Sequence, residues 1–218
     1  MSEARYALIG AHLERGDAEP LQGITLFEVA PLLISAASFD PSSGLASPGT
    51  VEHVAGLRRQ LLDRQTFVAI RYGASVAGAS EANAKCSPLV ARWHELLVRH
   101  RGAVEMTLRA VAGSGPLRPD RGTSKSGADY LRNLQRLRKD HALPDEFLKE
   151  VAATFDPLAR ESRWLDRQDL SREFVMLVSR EKVGEAAGAA SRLKEAFPAV
   201  PFVFSGPWPL EEFARSEG

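Results

Sequence analysis

The sequence predicts an α+β protein built from two units, and three observations support this class. Short β-rich runs recur along the chain, helical stripes of apolar residues separate them, and clusters of glycine and proline mark the turns. Towards its end the chain gives a strand–helix–strand run after an earlier strand and two helices. That order predicts a ferredoxin-like C-terminal unit, which is a split βαβ layer with extra helices. The predicted boundary near Arg101 gives an N-terminal α+β domain at 1–101 and a C-terminal domain at 102–218.

The first domain is predicted to contain four strands. Residues 5–13, "RYALIGAHL", form the first β-rich run. The stretch "ITLFEVAPLLISAASF" predicts two more strands that separate at Pro31, because proline has no backbone N–H to give to a sheet. The run "TFVAIRY" predicts a short fourth strand further along the chain.

Two helices are predicted in the same domain. Thr50 is the predicted N-cap of a helix that runs to about Arg64, with apolar residues along one stripe. In the second helical region, Ser87 is the predicted N-cap and Pro88 the first helical residue, a position that suits proline. Gly102 is predicted to end that helix.

The second domain is predicted to begin with a strand at "AVEMTLRAV", followed by a long loop rich in glycine, proline and serine. Two helices are predicted near 128–141 and 145–160. The chain then closes with a strand at "REFVMLVS", a helix at "REKVGEAAGAASRLKEAF" and a last strand at "AVPFVFS".

The amino-acid composition excludes several classes of ligand and function. The 28 basic and 28 acidic side chains cancel, so no global charge attracts nucleic acid or an anionic membrane. A single cysteine, Cys86, excludes an internal disulfide framework and suits a reducing cytoplasm. No apolar run reaches the length of a membrane span, and no dense set of metal ligands is present. We therefore expect a cytoplasmic protein with no metal, no cofactor, no nucleic acid and no membrane among its ligands.

Ser75 is a candidate catalytic nucleophile. The stretch "RYGASVAG" follows a strand and precedes a helix, as a nucleophile elbow would. Ala77 stands where the elbow pattern requires its second glycine, and no second motif positions a histidine or an acid. A serine hydrolase using Ser75 therefore stays an alternative hypothesis, and a simple turn is the structural interpretation.

A second candidate site is the basic stretch Arg118–Lys139, which carries seven basic and two acidic side chains. It predicts either a docking face for an acidic partner or a solvated helix face. The residues predicted to bind a partner are Tyr130, Arg132, Arg136 and Lys139. An adaptor function through this stretch is another alternative hypothesis.

Four short motifs in this order resemble the L/F family of gas vesicle accessory proteins. Ala69–Gly73 is similar to the family's V-R-[FY]-G run, Gly102–Met106 to its G-x-V-E-[ML] strand and Gly127–Leu131 to its G-x-x-Y-L helix start. The most specific match is Ser205–Pro209, "SGPWP", in the closing motif. The chain departs from that motif at 210–212, "LEE", where the family has a Pro-Tyr run.

The resemblance implies a non-enzymatic protein that helps to assemble the gas-filled shell and contacts the small apolar shell protein and other accessory proteins. It also implies a location in the cytoplasm and on the gas vesicle. The matching motif residues are expected to have structural roles; they are Arg71, Gly73, Gly206, Pro207, Trp208 and Pro209.

Trp208 stands between two prolines in the closing motif. Pro207 and Pro209 fix their φ angles, so the indole has little freedom to lose on burial. We predict that Trp208 is mostly buried against the C-terminal unit, over the small side chains of the last helix.

Overall fold

The first unit is built on a five-stranded sheet. The computed structural model describes residues 5–13, 21–110, 126–140, 142–167 and 171–215. The strands of this sheet are β1 (Arg5–His12), β2 (Ile24–Val29), β3 (Leu32–Phe39), β4 (Val68–Ala69) and β5 (Ser75–Val76). Their order is β2-β3-β1-β4, with β5 also paired to β1, and every pair is antiparallel. The predicted separation of β2 from β3 at Pro31 is confirmed.

Helix α1 (Pro48–Arg64) begins three residues earlier than predicted. Its N-cap is Ser47, whose hydroxyl accepts a hydrogen bond from the Thr50 N–H at 3.3 Å. Pro48 occupies the first helical turn, where an N–H is not needed. The prediction of Thr50 as the N-cap was therefore wrong, because Ser47 provides the same chemistry one turn earlier.

Helix α2 (Ala79–Arg99) corrects the prediction of a helix start at Ser87. Pro88 lies inside the helix, and the Ser87 hydroxyl donates to the Asn83 carbonyl at 2.7 Å. Packing explains why the helix continues through the proline, since its buried stripe begins two turns before it. That stripe consists of Ala82, Cys86, Val90, Trp93 and Leu97.

The second unit has a four-stranded sheet in the order β7-β8-β6-β9. These strands are β6 (Ala103–Ala110), β7 (Ala159–Asp166), β8 (Arg172–Ser179) and β9 (Phe202–Trp208). The helices are α3 (Gly127–Asp140), α4 (Asp145–Phe155) and α5 (Val183–Ala196). The α+β class is confirmed. Strand β8 lies between β6 and β7, as a split βαβ arrangement requires, while the ferredoxin-like assignment itself stays a prediction.

Strand β7 replaces the predicted C-terminal end of a helix. The helix was predicted to reach Arg160, but α4 ends at Phe155 and a turn containing Pro157 leads directly into β7. β7 pairs with β8 along its length, with Trp164 opposite Phe174. Charged residues interrupt the apolar alternation of β7, and this is why the pattern did not indicate a strand.

The core of the second unit packs α4 and α5 against the sheet. Phe147 and Phe155 of α4 are fully buried. Phe155 stacks on Phe204 of β9 with ring centroids 5.5 Å apart, and Phe147 meets Phe202 at 5.9 Å. These phenylalanines occupy the space next to the small side chains of α5, where Ala189 and Ala190 belong to the same core cluster.

Candidate functional site

Residues 209–215, which we call the C-terminal segment, are bound at the edge of the first unit's sheet. The Leu210 N–H donates to the Phe67 carbonyl at 2.9 Å, and the Leu210 carbonyl accepts from the Ala69 N–H at 3.3 Å. Leu210 therefore forms a parallel bridge with Val68, and its side chain is fully buried, as is nearly all of Phe213. One β-bridge and two buried apolar side chains therefore hold residues 210–213 against the first unit's sheet.

This docking changes the division of the chain. The first unit comprises Met1–Val104 together with Trp208–Gly218, and the second comprises Glu105–Pro207. The division falls close to the predicted one near Arg101. The last eleven residues, however, were predicted to belong to the C-terminal domain and group instead with the first unit, because Leu210 pairs with Val68 there.

A groove of about 720 Å³ opens beside the docked segment and beside α2; we call it the α2 groove. Three parts of the first unit line it. They are β1 and the β4–β5 region with Leu8, Val68, Ala69, Ile70, Arg71 and Ala74, then α2 with Lys85, Cys86, Leu89, Arg92 and Trp93, then the C-terminal segment with Glu211, Ala214 and Arg215. The groove thus combines an apolar floor with a mostly basic rim.

The apolar part of the α2 groove has one exposed member. Cys86 and Trp93 are almost completely buried, whereas Leu89, one helical turn from each, is 43% exposed. Burial also raises the pKa of the Cys86 thiol, so that side chain stays neutral. Leu89 is therefore the apolar side chain that the α2 groove presents to solvent.

The charged rim is partly paired within the protein. Lys85 pairs with Glu81 at 2.8 Å and donates to the Ser75 carbonyl at 2.6 Å. Arg215 pairs with Glu211 and Glu212, each at 2.6 Å, and its carbonyl accepts a hydrogen bond from Arg92. Of these contacts, the hydrogen bond from Arg92 joins α2 to the C-terminal segment, and the others are local pairs that leave little unpaired charge on Lys85 and Arg215.

Arg71 lies in the loop between β4 and β5, which local contacts hold. The Arg58 guanidinium donates to the Ile70 carbonyl, and the Tyr72 hydroxyl donates to the Leu45 carbonyl at 2.6 Å. Gly73 has a φ of +99°, which allows the tight turn after Arg71. These contacts hold the loop backbone in place. The Arg71 side chain, by contrast, is exposed, and it makes no hydrogen bond or ion pair with the residues that the structure describes.

A protein-family comparison identifies the chain. The model described as "Gas vesicle synthesis protein GvpL/GvpF" matches residues 48–215, which is most of the sequence. The chain belongs to the GvpL/GvpF family. No curated protein matches the sequence.

Two solved structures of gas vesicle proteins share this fold. The gas vesicle protein GvpF from Anabaena sp. PCC7120 is 13% identical with a TM-score of 0.67, and the alignment covers 99% of this chain and 98% of that one. GvpF from Microcystis aeruginosa is also 13% identical, with a TM-score of 0.68 over 99% of this chain and 100% of that one. At this identity the likeness concerns the fold alone.

The closing motif of this GvpL/GvpF chain has a structural requirement at Gly206. Its φ is +123°, and a Cβ there would lie 2.7 Å from Met106 Sδ and 2.9 Å from the Glu105 carbonyl oxygen. Only glycine fits so close to a neighbouring strand. Pro207 is exposed and Pro209 is half-buried.

The prediction that Trp208 is mostly buried was wrong. The side chain is 47% exposed. The space over the small side chains of α5 is occupied by other rings, because Phe197, Phe202 and Phe204 pack against the core that contains Ala190. The restricted indole therefore presents a large apolar surface to solvent.

Ser75 lies in β5 with partners that suit a structural serine. Its hydroxyl accepts a hydrogen bond from the Arg5 guanidinium at 3.2 Å, and its carbonyl accepts from Lys85. An arginine stays protonated, so Arg5 cannot act as the general base that a serine nucleophile needs.

The predicted partner-binding residues lie on α3. Arg132 forms an ion pair with Asp129 at 2.8 Å on the exposed surface, and Tyr130 is half-buried. The side chains of Arg136 and Lys139, and the part of the basic stretch before residue 126, lie outside the described residues. Partner binding through these four residues stays a prediction.

The described part of the chain contains no metal-ligand cluster and no helix suited to crossing a membrane. Within residues 5–13, 21–110, 126–140, 142–167 and 171–215, no three His, Cys, Asp or Glu side chains are arranged to hold a metal ion. None of the helices in those same ranges is both long enough and apolar enough to cross a membrane.

Proposed function

We propose that this chain is a non-enzymatic accessory protein of gas vesicle assembly, which binds the small apolar shell protein and other accessory proteins in the cytoplasm and on the vesicle. The observation that carries the proposal is the GvpL/GvpF family match over residues 48–215. The structural likeness to two GvpF proteins along nearly the whole chain supports it.

Exposed apolar side chains provide a physical reason for such a role. Very apolar subunits aggregate in water unless another protein covers them during assembly. This chain leaves several large apolar side chains partly exposed; complete burial of an exposed leucine or valine is worth about 1.5–3 kcal/mol, and covering a partly exposed one contributes a corresponding fraction of that. The exposed side chains are Val51, Tyr72, Leu89, Val98, Leu131, Val203 and Trp208.

The shell protein can be tested as a partner by co-expression. The tagged chain should capture the shell subunit and keep it in the supernatant after centrifugation, whereas the shell subunit expressed alone should sediment. A tagged protein of similar size from outside this family is the control. Sedimentation of all shell subunit in the presence of the tagged chain would contradict the proposal.

The basic side chains of α3 are proposed as a second contact, for an acidic accessory partner. Arg132→Glu combined with Arg136→Glu should weaken assembly and leave the melting temperature nearly unchanged; Arg132 is exposed, and substitutions at exposed positions usually change stability by less than about 0.5 kcal/mol. Counting gas vesicles in cells by electron microscopy tests the first part, and thermal unfolding of the purified variant tests the second. If cells with the double variant contained as many gas vesicles as wild-type cells, the basic stretch would be only a solvated helix face.

A further inference from the structure

The α2 groove places an exposed apolar side chain and an exposed cation on one surface. Leu89 is 43% exposed and stands beside the buried Trp93, so a partner's apolar side chain laid on it would extend the existing core. Arg71 lines the same groove from the β4–β5 loop. A surface of this kind matches a segment with an apolar face and an acidic edge.

The charged side chains that line the α2 groove favour the binding of a carboxylate group. Four basic side chains and one acidic side chain line it. Lys85 and Arg215 already pair with carboxylates of this chain, and Arg92 donates to a backbone carbonyl. The Arg71 side chain is exposed and makes no such contact within the described part of the chain. Its planar guanidinium can therefore donate hydrogen bonds to a carboxylate of the partner.

We propose that the α2 groove binds an amphipathic segment of the shell subunit, with apolar side chains over Leu89 and a carboxylate on Arg71. The inference rests on the proposed function, because the shell subunit is the occupant. A volume of about 720 Å³ holds several side chains of such a segment. The docked C-terminal segment forms one wall of the groove, so the site is complete within the first unit.

Two substitutions test the two contacts separately. Leu89→Gln removes the apolar contact and keeps a residue that favours helices, and Arg71→Glu reverses the charge on an exposed loop side chain. Val98→Gln is the control for the first, because Val98 lies on the same helix, is 56% exposed and does not line the groove. Arg59→Glu is the control for the second, because Arg59 is exposed on α1 and also lies outside the groove.

The measurement is capture of the co-expressed shell subunit by the tagged full-length chain, titrated to give relative affinity. We expect Leu89→Gln to weaken capture about tenfold or more. We expect Arg71→Glu to weaken it about fivefold and to reduce its dependence on salt, since a partly exposed ion pair is screened. Both control variants should bind within about twofold of the wild-type chain.

A photo-crosslinking amino acid at position 89 gives a direct readout of proximity. It should crosslink to the shell subunit, and the same amino acid at position 98 should not. The α2 groove would be excluded as the binding site if both groove variants captured the shell subunit as well as the wild-type chain does. It would also be excluded if the control variants lost as much capture as the groove variants. In either case the proposed function would stand. Failure of the wild-type chain to capture the shell subunit would overturn both.

Discussion

At the scale of single residues, the clearest titratable group is His12. Its ring is buried in the first sheet and lies 2.8 Å from the Ser35 hydroxyl. Burial lowers the pKa of His12 from 6.5 to about 4, because the charged ring loses its hydration. Between these two values the unfolded chain binds a proton that the folded chain does not.

This shift predicts a loss of stability in mild acid. The contribution of His12 is fully present above about pH 6.5 and declines as the pH falls to about 4, by roughly 3 kcal/mol over the window. Urea unfolding at pH 7.5, 6 and 5 measures the free energy of unfolding. His12→Gln, which can still bond Ser35, should show a smaller decline than the wild-type chain. Equal declines in both proteins would contradict the assignment to His12.

The exposure of Trp208 changes what its replacement should do. Complete burial would make Trp208→Ala cost about 3–5 kcal/mol. At 47% exposure we expect a cost below about 2 kcal/mol, while Trp93→Ala, at a nearly buried tryptophan, should cost about 3–5 kcal/mol. Urea unfolding of the two variants compares them directly. Equal destabilisation by the two substitutions would contradict this difference in burial.

At the scale of elements, α5 contains a glycine with room for a side chain. A Cβ on Gly188 would meet only the end of the flexible Arg192 side chain, at the ordinary contact distance of 3.7 Å. Alanine also favours a helix over glycine by about 1 kcal/mol. Gly188→Ala should therefore raise the free energy of unfolding by about 0.5–1 kcal/mol.

The matched comparison is Gly206→Ala, where the added Cβ would clash with Met106 and the backbone of Glu105. That variant should be destabilised by about 1–3 kcal/mol, since its φ of +123° is also unfavourable for alanine. Thermal unfolding of both variants should thus shift in opposite directions. If both melting temperatures shifted in the same direction, the space available to the added Cβ would not be what determines the effect of alanine at these two positions.

Element boundaries show what the sequence pattern could and could not predict. Strands with continuous apolar runs, such as β3 and β8, were predicted because their composition alone distinguishes them. Local propensity predicts a helix start at Pro88, but the buried stripe from Ala82 to Leu97 overrides that preference. Packing against another element is absent from any local pattern.

At the scale of the whole molecule, the least predictable feature was the return of the chain to its first unit. The closing motif indicated a rigid turn, and Gly206 has the positive φ that such a turn requires. The bridge between Val68 and Leu210 joins residues that are far apart in sequence, so no local pattern could indicate it. The α2 groove was missed for the same reason, although Arg71 was singled out by the motif that contains it.

Because the C-terminal segment docks on the first unit, weakening its docking should destabilise that unit. Leu210 is fully buried, and its backbone bonds both Phe67 and Ala69. Leu210→Ala should cost about 2–5 kcal/mol, since it leaves a cavity beside β4. Because Leu210 belongs to the first unit, amide protection against hydrogen exchange should fall in β1 and α1. It should change little in α4 and α5.

The control for this experiment is Val203→Ala in the second unit, where the side chain is 66% exposed and its loss should cost less than about 0.5 kcal/mol. Protection in every helix should therefore stay near the wild-type level in that variant. Equal loss of protection in α1 and α5 of the Leu210→Ala protein would contradict the prediction, because the two units would then unfold as one. Loss confined to the first unit would show that a segment far along the chain completes a domain begun at its start.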